Sequence, residues 1–116
     1  MTKEELQKRT KQFSLRVMKL VAALPNTPVA RAIGGQLVRS GTSTGANYRA
    51  ACRARSRAEF VAKIGVVEEE ADESAFWMEL LIEGGVMSES LVADLLREAN
   101  ELTAIMAASR KSAKQG

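Results

Sequence analysis

The sequence predicts an all-α fold, an antiparallel up-down-up-down bundle of four helices, and three observations support this prediction. The strong helix formers alanine, leucine, glutamate and arginine dominate the composition. Apolar residues recur at helical spacing in four stretches, and no stretch alternates as strands do. Short connections containing proline, glycine or serine separate the stretches, so successive helices are expected to run antiparallel.

The 116 residues are expected to form one domain, 1–116, because a chain of this length buries one hydrophobic core. Hydrophobic residues make up 46% and charged residues 27%, a balance that favours a folded protein over a disordered one. The apolar runs are too short to cross a membrane, and no charged-then-apolar leader is present. We therefore expect a cytoplasmic protein, and the single cysteine, Cys52, which cannot form an internal disulfide, agrees with a reducing compartment.

The first two helices are expected at about 3–24 and 28–55. Thr27 is a suitable N-cap for the second helix, with Pro28 at its first position. The run 40–45 in the second helix has poor helix propensity, but the apolar pattern stays in phase across it. We therefore predict one long helix, in which these small residues favour a kink and the close approach of a neighbouring helix.

The third helix is expected at about 57–83, and Ser56 with Glu59 forms a capping-box pattern at its start. The positions that follow alternate steps of four and three, which is the heptad seam of left-handed bundles. These positions are Phe60, Ile64, Val67, Ala71, Ser74, Met78 and Leu81. The pair Gly84–Gly85 is expected to end this helix.

The fourth helix is expected at about 89–109, followed by a polar, frayed tail at 110–116. Ser88 is the predicted N-cap. The predicted inner stripe begins at Leu91 and continues through Leu95, Ala99, Leu102 and Ile105 or Met106.

Histidine is absent, which excludes the most common chemistry of small enzymes. Its absence removes the usual general base, the usual zinc ligand and the histidine-dependent nucleophile pairs. It also excludes the Glu-x-x-His pairs of di-iron bundles. We expect no catalytic activity, no cofactor and no bound metal, and we interpret the acidic run 68–73 as a solvated face. Cys52 is expected to be a small buried hydrophobe.

The charge is unevenly distributed along the chain. Residues 1–63 contain 13 Lys and Arg against 3 Glu, a net charge of +10. Residues 64–116 contain 4 Lys and Arg against 11 Asp and Glu, a net charge of −7. Two interpretations stay open: the two halves neutralise each other within the bundle, or the basic half binds an anionic partner, either a nucleic acid or the acidic side of another subunit.

The densest basic cluster is the candidate nucleic-acid-binding site, since arginine forks match phosphate oxygens. Its members are Arg49, Arg53, Arg55, Arg57 and Lys63. No aromatic residue is interleaved with them on the same face, so base stacking is not predicted. The alternative is a solvated corner of the bundle. Trp77 lies off the heptad seam, which suggests a contact between subunits.

An ordered set of residues resembles one protein family. The set is Gln36-Leu37-Val38-Arg39, Ser43, Ala46-Asn47, Ser56-x-x-Glu59-Phe60 and Glu73. The family is that of the four-helix-bundle proteins encoded in intervening sequences of bacterial 23S ribosomal RNA genes, related to the accessory variability proteins of diversity-generating retroelements. Many members carry a proline where this chain has Gly45, which argues against a sharp kink here.

The resemblance implies a homo-oligomer, a pentameric ring, with no catalytic residues. It suggests RNA or a nucleic-acid-handling protein as partner, because the retroelement relatives engage RNA and a reverse transcriptase. The matched polar residues, Arg39, Ser43, Asn47 and Glu73, are implied to form a buried or interfacial network. The expected function is thus a non-catalytic, RNA-binding or ribonucleoprotein-binding module. The alternative is a purely structural bundle whose charge asymmetry drives self-assembly.

Overall fold

The computed structural model describes all 116 residues and contains four α-helices joined by short connections. These are α1 (Lys3–Ala22), α2 (Pro28–Cys52), α3 (Arg57–Glu83) and α4 (Glu89–Gln115). α1 packs on α2, α2 on α3 and α3 on α4, whereas α1 and α4 meet along a much smaller seam. The principal extents are 46 × 19 × 18 Å, those of a narrow bundle of long helices. The predicted up-down-up-down four-helix bundle is confirmed.

Side-chain caps begin α2 and α3 where the sequence predicts them. The Thr27 hydroxyl accepts a hydrogen bond from the N–H of Ala30, at 3.2 Å, and Pro28 is the first helical residue. The Ser56 hydroxyl accepts one from the N–H of Glu59, at 3.0 Å. Each bond satisfies one of the N–H groups that a helix start leaves without a partner, so the two starts are locally encoded.

Two predicted caps differ from the structure. The Glu59 carboxylate accepts from the N–H of Arg55 and not from that of Ser56, so the predicted capping box is only half formed. The Ser88 hydroxyl makes no capping bond to the backbone of α4, although Ser88 occupies the N-cap position. Its Oγ lies 3.3 Å from that of Ser90.

Three helix ends also differ from the predicted bounds. α1 ends at Ala22 and α2 at Cys52, in each case shortly before the expected end, because the chain then turns more tightly through i→i−3 hydrogen bonds. α4 continues to Gln115 and includes most of the predicted tail. No helix breaker precedes Gly116, and the Arg110 guanidinium anchors this last part of α4 by a 2.9 Å bond to Glu68 of α3.

The heptad seam of α3 is the centre of the core. All members of the seam from Ile64 to Leu81 are fully buried, and only Phe60, its first residue, is half-buried. The inner stripe of α4 differs at its start, since Leu91 is 66% exposed and Val92 is buried in its place. The prediction for Leu91 was wrong because the helix phase is set by the buried residues Leu95, Ala99, Leu102 and Met106.

The small residues of α2 bring it close to α1. A Cβ added to Gly41 would lie 2.6 Å from Cγ1 of Val17, which is fully buried. The Ser14 hydroxyl donates to the Gly41 carbonyl at 2.7 Å. The run 40–45 is helical throughout, as predicted, and the expected close approach of a neighbouring helix is confirmed.

We expect Gly41→Ala to destabilise the bundle and Gly35→Ala to stabilise it. The Gly41 methyl would overlap Val17, at a cost of about 1–3 kcal/mol. A Cβ on Gly35 meets nothing within 4 Å, so the better helix propensity of alanine should contribute about 0.5–1 kcal/mol. Urea unfolding followed by circular dichroism measures both changes, and equal shifts for the two variants would contradict the close contact.

Candidate nucleic-acid interface

The predicted basic cluster lies at the corner where α2 passes into α3. Arg49 and Arg53 come from the last turn and C-cap of α2, one helical turn apart on the same face. With Arg55 of the connection and Lys63 of α3, they line an open surface depression of about 460 Å³. Arg57, the first residue of α3, is exposed nearby but does not line this depression.

A second depression, of about 360 Å³, lies between α1 and α2 and adjoins the first. The two share Ala46, Arg49 and Arg53, so together they form one continuous surface. We call it the cationic surface and define it by Lys11, Arg49, Arg53, Arg55 and Lys63. Lys11 is not among the residues that the sequence predicts for this site. It reaches this surface because α1 and α2 approach closely at Gly45, where an added Cβ would lie 3.5 Å from the Lys11 Cα.

None of the cations of the cationic surface forms an ion pair within 4.0 Å. The one carboxylate among the lining residues, that of Glu59, accepts the backbone N–H of Arg55. Of the 13 Lys and Arg in residues 1–63, two are paired with the acidic half: Arg9 with Glu98 and Glu101, and Arg39 with Glu70 and Glu73. Few cations of residues 1–63 are therefore neutralised by direct ion pairs, and those of the cationic surface are not among them.

Aromatic rings are absent from the lining of both depressions. Tyr48, the nearest ring in sequence, is 2% exposed, and burial raises the pKa of its phenol. Phe60 is half-buried, with the Lys3 ammonium 5.1 Å from its ring centroid. The surface thus offers hydrogen-bond donors to phosphate groups and no platform on which bases could stack.

The four polar residues grouped by the resemblance divide into two separate sets. Arg39 of α2 pairs with Glu73 and Glu70 of α3, and this site is partly exposed. Ser43 and Asn47 bond to each other within α2, with 2.8 Å between Asn47 Nδ2 and Ser43 Oγ. No hydrogen bond joins the two sets. The first set links α2 to α3, and the second forms hydrogen bonds within α2.

A buried polar contact that the sequence does not predict joins α2 and α3. The hydroxyls of Ser40 and Ser74 are 2.8 Å apart, and both residues are fully buried. Ser74 occupies a core position of the heptad seam, where the spacing alone indicates packing and gives no sign of a polar partner. This hydrogen bond pairs α2 with α3 at a defined level of the bundle.

Trp77 is half-buried, and its indole N–H donates to Glu73 at 3.0 Å. Its ring meets that of Phe76 edge-on, with centroids 5.1 Å apart, and Phe76 is 50% exposed. The bonds from Trp77 and then Arg39 lower the pKa of the Glu73 carboxyl, although burial opposes them. The predicted subunit contact at Trp77 stays a prediction.

Three further features concern the lone cysteine, the acidic side chains and the apolar character of the helices. Cys52 is half-buried and has no disulfide partner. No group of three or more Cys, Asp or Glu side chains is arranged to hold a metal ion, including those of the acidic run 68–73. None of the four helices combines the length and the apolar character that a bilayer span requires.

The comparisons with known proteins support the four-helix fold and show the family. The profile of the family described as "23S rRNA-intervening sequence protein" matches residues 2–108. A crystal structure of a protein of unknown function from the S23 ribosomal protein family of Bacteroides thetaiotaomicron VPI-5482 superposes with a TM-score of 0.87. It is 30% identical, and the match covers 96% of this chain and 99% of that one. A comparison with curated proteins gives no match.

We expect the emission of Trp77, the only tryptophan, to report the protonation of Glu73 below the ordinary glutamate pKa of about 4.3. A lowered pKa in the fold means that the bonds of Glu73 stabilise the bundle at neutral pH. This contribution is lost as the pH falls through the folded pKa. Arg39→Met should move the fluorescence midpoint upward, and Arg97→Met, which removes a remote pair with Asp94, should not. Equal midpoints in all three proteins would contradict the network.

Proposed function

We propose that this chain, which belongs to the family of 23S rRNA-intervening sequence proteins, is a non-catalytic homo-oligomeric bundle that binds RNA or a ribonucleoprotein. The single observation that carries the proposal is the cationic surface, in which five Lys and Arg side chains have no carboxylate within 4.0 Å. Such a cluster would repel itself in isolation, and an anionic partner relieves the repulsion.

Phosphate groups are the anions that this surface fits best. A guanidinium donates two parallel hydrogen bonds to phosphate oxygens, and Arg49 and Arg53 present theirs from one rigid helix face. Without aromatic rings in the lining, binding would depend on backbone charge and would be largely indifferent to base sequence. Arg57, exposed beside the surface, would add to its positive potential.

The assembly and the compartment are parts of the same proposal. A pentameric ring, as the resemblance implies, would present several copies of the cationic surface to one RNA and raise its avidity. A lone cysteine without a disulfide partner fits a reducing compartment, and we propose the cytoplasm. The two polar sets at Arg39–Glu73 and Ser43–Asn47 would have a structural role, since each is satisfied within the chain.

The alternative function is a structural or protein-interaction bundle whose charge asymmetry drives self-assembly. One observation favours it: 11 of the 13 cations in residues 1–63 have no carboxylate partner, while the acidic half carries unpaired carboxylates on α3. In that case the anionic partner of Arg49, Arg53 and Arg57 would be another subunit.

We expect Arg49→Gln with Arg53→Gln to weaken the binding of a single-stranded RNA oligonucleotide, measured by fluorescence anisotropy over a range of salt concentrations. Loss of two phosphate contacts should lower the slope of log K against log salt by about 1.4. The matched control is Lys111→Gln with Lys114→Gln, which removes the same charge from the exposed end of α4. Its binding should stay close to that of the unsubstituted protein.

RNA binding that is absent at low salt, or insensitive to salt, would overturn the proposed function. An equal loss in the two double variants would show that overall charge and not the cationic surface is responsible. Oligomers that dissociate on reversal of Arg49, Arg53 and Arg57 to glutamate, in a protein that does not bind RNA, would favour the alternative.

A further inference from the structure

The depression of about 360 Å³ between α1 and α2 has two polar walls, and we call it the interhelical depression. Residues spaced by three, four or seven positions share one face of a helix, and both walls follow this spacing. The polar residues of the wall from α2 are Thr42, Arg49 and Arg53, and those of the wall from α1 are Gln7, Lys11 and Ser14.

The hydroxyl groups and the cations lie at different heights of the interhelical depression. The Ser14 hydroxyl bonds to the Gly41 carbonyl, which places it beside Thr42. Lys11 lies about one helical turn before Ser14 on the same face of α1. Because α1 and α2 are antiparallel, the two arginines of the α2 wall follow in the same direction. The depression is thus neutral at the end that carries the hydroxyls and cationic from its middle to the other end.

Both hydroxyl protons are used within the bundle. Ser14 donates to the Gly41 carbonyl and Thr42 to the Val38 carbonyl, each at 2.7 Å. A second backbone carbonyl lies 3.2 Å from the Ser14 oxygen and another 3.3 Å from the Thr42 oxygen. A hydroxyl oxygen also has lone pairs that accept hydrogen bonds, and these are left for a ligand. The hydroxyl end therefore suits a ligand group that donates.

The two hydroxyl groups are within reach of such a ligand. Ser14 and Thr42 are half-buried, and both line the interhelical depression. Gly45 lines it as well, and an added Cβ at Gly45 would lie 2.6 Å from the Ser14 Oγ. The missing side chain of Gly45 thus leaves the Ser14 oxygen uncovered on that side.

A phosphate group does not suit the hydroxyl end, because a phosphodiester offers acceptors only. The ribose of RNA has a 2′-hydroxyl that can donate, whereas the deoxyribose of DNA has only hydrogen at this position. In a strand the 2′-hydroxyl is next to the 3′-phosphate of the same nucleotide. A ribose at the hydroxyl end would therefore direct one phosphate towards Lys11 and the next towards Arg49 and Arg53.

We propose that the interhelical depression holds one ribose-phosphate unit of an RNA strand and distinguishes it from deoxyribose. The 2′-hydroxyl donates to the side-chain oxygen of Thr42 or Ser14. Lys11 and the guanidiniums of Arg49 and Arg53 bind the flanking phosphates. The inference rests on the RNA-binding part of the proposed function. It adds a preference for one sugar, which the cationic side chains alone do not provide because the phosphates of RNA and DNA are alike.

The test compares three oligonucleotides of one sequence that differ at the 2′-position. They are RNA, DNA with deoxyuridine in place of thymidine, and 2′-fluoro RNA, which keeps the sugar pucker of RNA but has no 2′-hydroxyl to donate. Fluorescence anisotropy at one salt concentration gives the three dissociation constants. RNA should bind about threefold to tenfold more tightly than either of the others, which is the effect of one neutral hydrogen bond.

Thr42→Val with Ser14→Ala removes both acceptors and keeps every cation of the cationic surface. This double variant should bind RNA only as tightly as DNA, and its affinity for DNA should be unchanged because the phosphate contacts remain. A variant that had lost its fold would bind both more weakly. Thr42→Val alone keeps the bond between Ser14 and Gly41 and should also lower the RNA-to-DNA affinity ratio.

Thr103→Val is the matched control. The Thr103 hydroxyl donates to the carbonyl four residues earlier, at 2.8 Å, as the Thr42 hydroxyl does, and Thr103 is also half-buried. It lies on α4 and does not line the interhelical depression. The RNA-to-DNA affinity ratio of this variant should equal that of the unsubstituted protein.

Equal affinities of the unsubstituted protein for RNA and DNA would overturn the inference and leave the proposed binding of phosphate groups intact. A preference for RNA that 2′-fluoro RNA shares, or that persists in the double variant, would overturn it too. An equal fall of the ratio in Thr103→Val would show that the effect does not come from the depression. Absence of binding to all three strands would overturn the inference together with the proposed RNA binding.

Discussion

The close approach of α1 to α2 is the constraint on which the rest of the structure depends. It requires that Gly41 have no side chain, because any Cβ there would overlap Val17 in the core. Gly45 has the same role one turn later, where an added Cβ would lie 2.6 Å from the Ser14 Oγ. This approach brings Lys11 to the edge of the arginine cluster. It also fixes the relative height of α1 and α2, and through Ser40 and its hydrogen bond that of α3.

The small residues that permit this approach give α2 a poor intrinsic helix propensity, and the packing of α2 on its neighbours offsets that loss of stability. The hydroxyls of Ser40, Thr42 and Thr44 return hydrogen bonds to carbonyls of α2 itself, so they do not divert the chain from a helix. No buried side-chain N or O atom of the molecule lacks a hydrogen-bond partner. Small hydroxylated residues therefore allow two helices to meet closely while every buried side-chain N and O atom keeps a hydrogen-bond partner.

The cationic surface shows what residue spacing reveals about a site and what it does not. Arg49 and Arg53 are one turn apart, so their common face follows from helical geometry alone. Lys63 joins them because the connection between α2 and α3 is short. Lys11 was not predictable in this way, since 38 residues separate it from Arg49 and only the packing of two helices brings them together. The burial of Ser74 was predictable from the heptad pattern. Its hydrogen bond to Ser40 was not, because it depends on how α2 packs on α3.

The sequence by itself determined the helices, their order and most of the core, because caps, breakers and apolar periodicity act within a few residues of the chain. It failed where a helix phase or end depends on distant contacts. Leu91 is exposed because the buried face of α4 is set by its packing on α3, and the bond from Arg110 to Glu68 anchors the part of α4 that extends past the predicted end. The pair Arg97–Asp94 within α4 follows from local helical spacing, but the tertiary structure alone decided which charges pair between helices. Those pairs require that a lysine or arginine and a carboxylate on different helices come within 4.0 Å, and no local pattern in the chain encodes that distance.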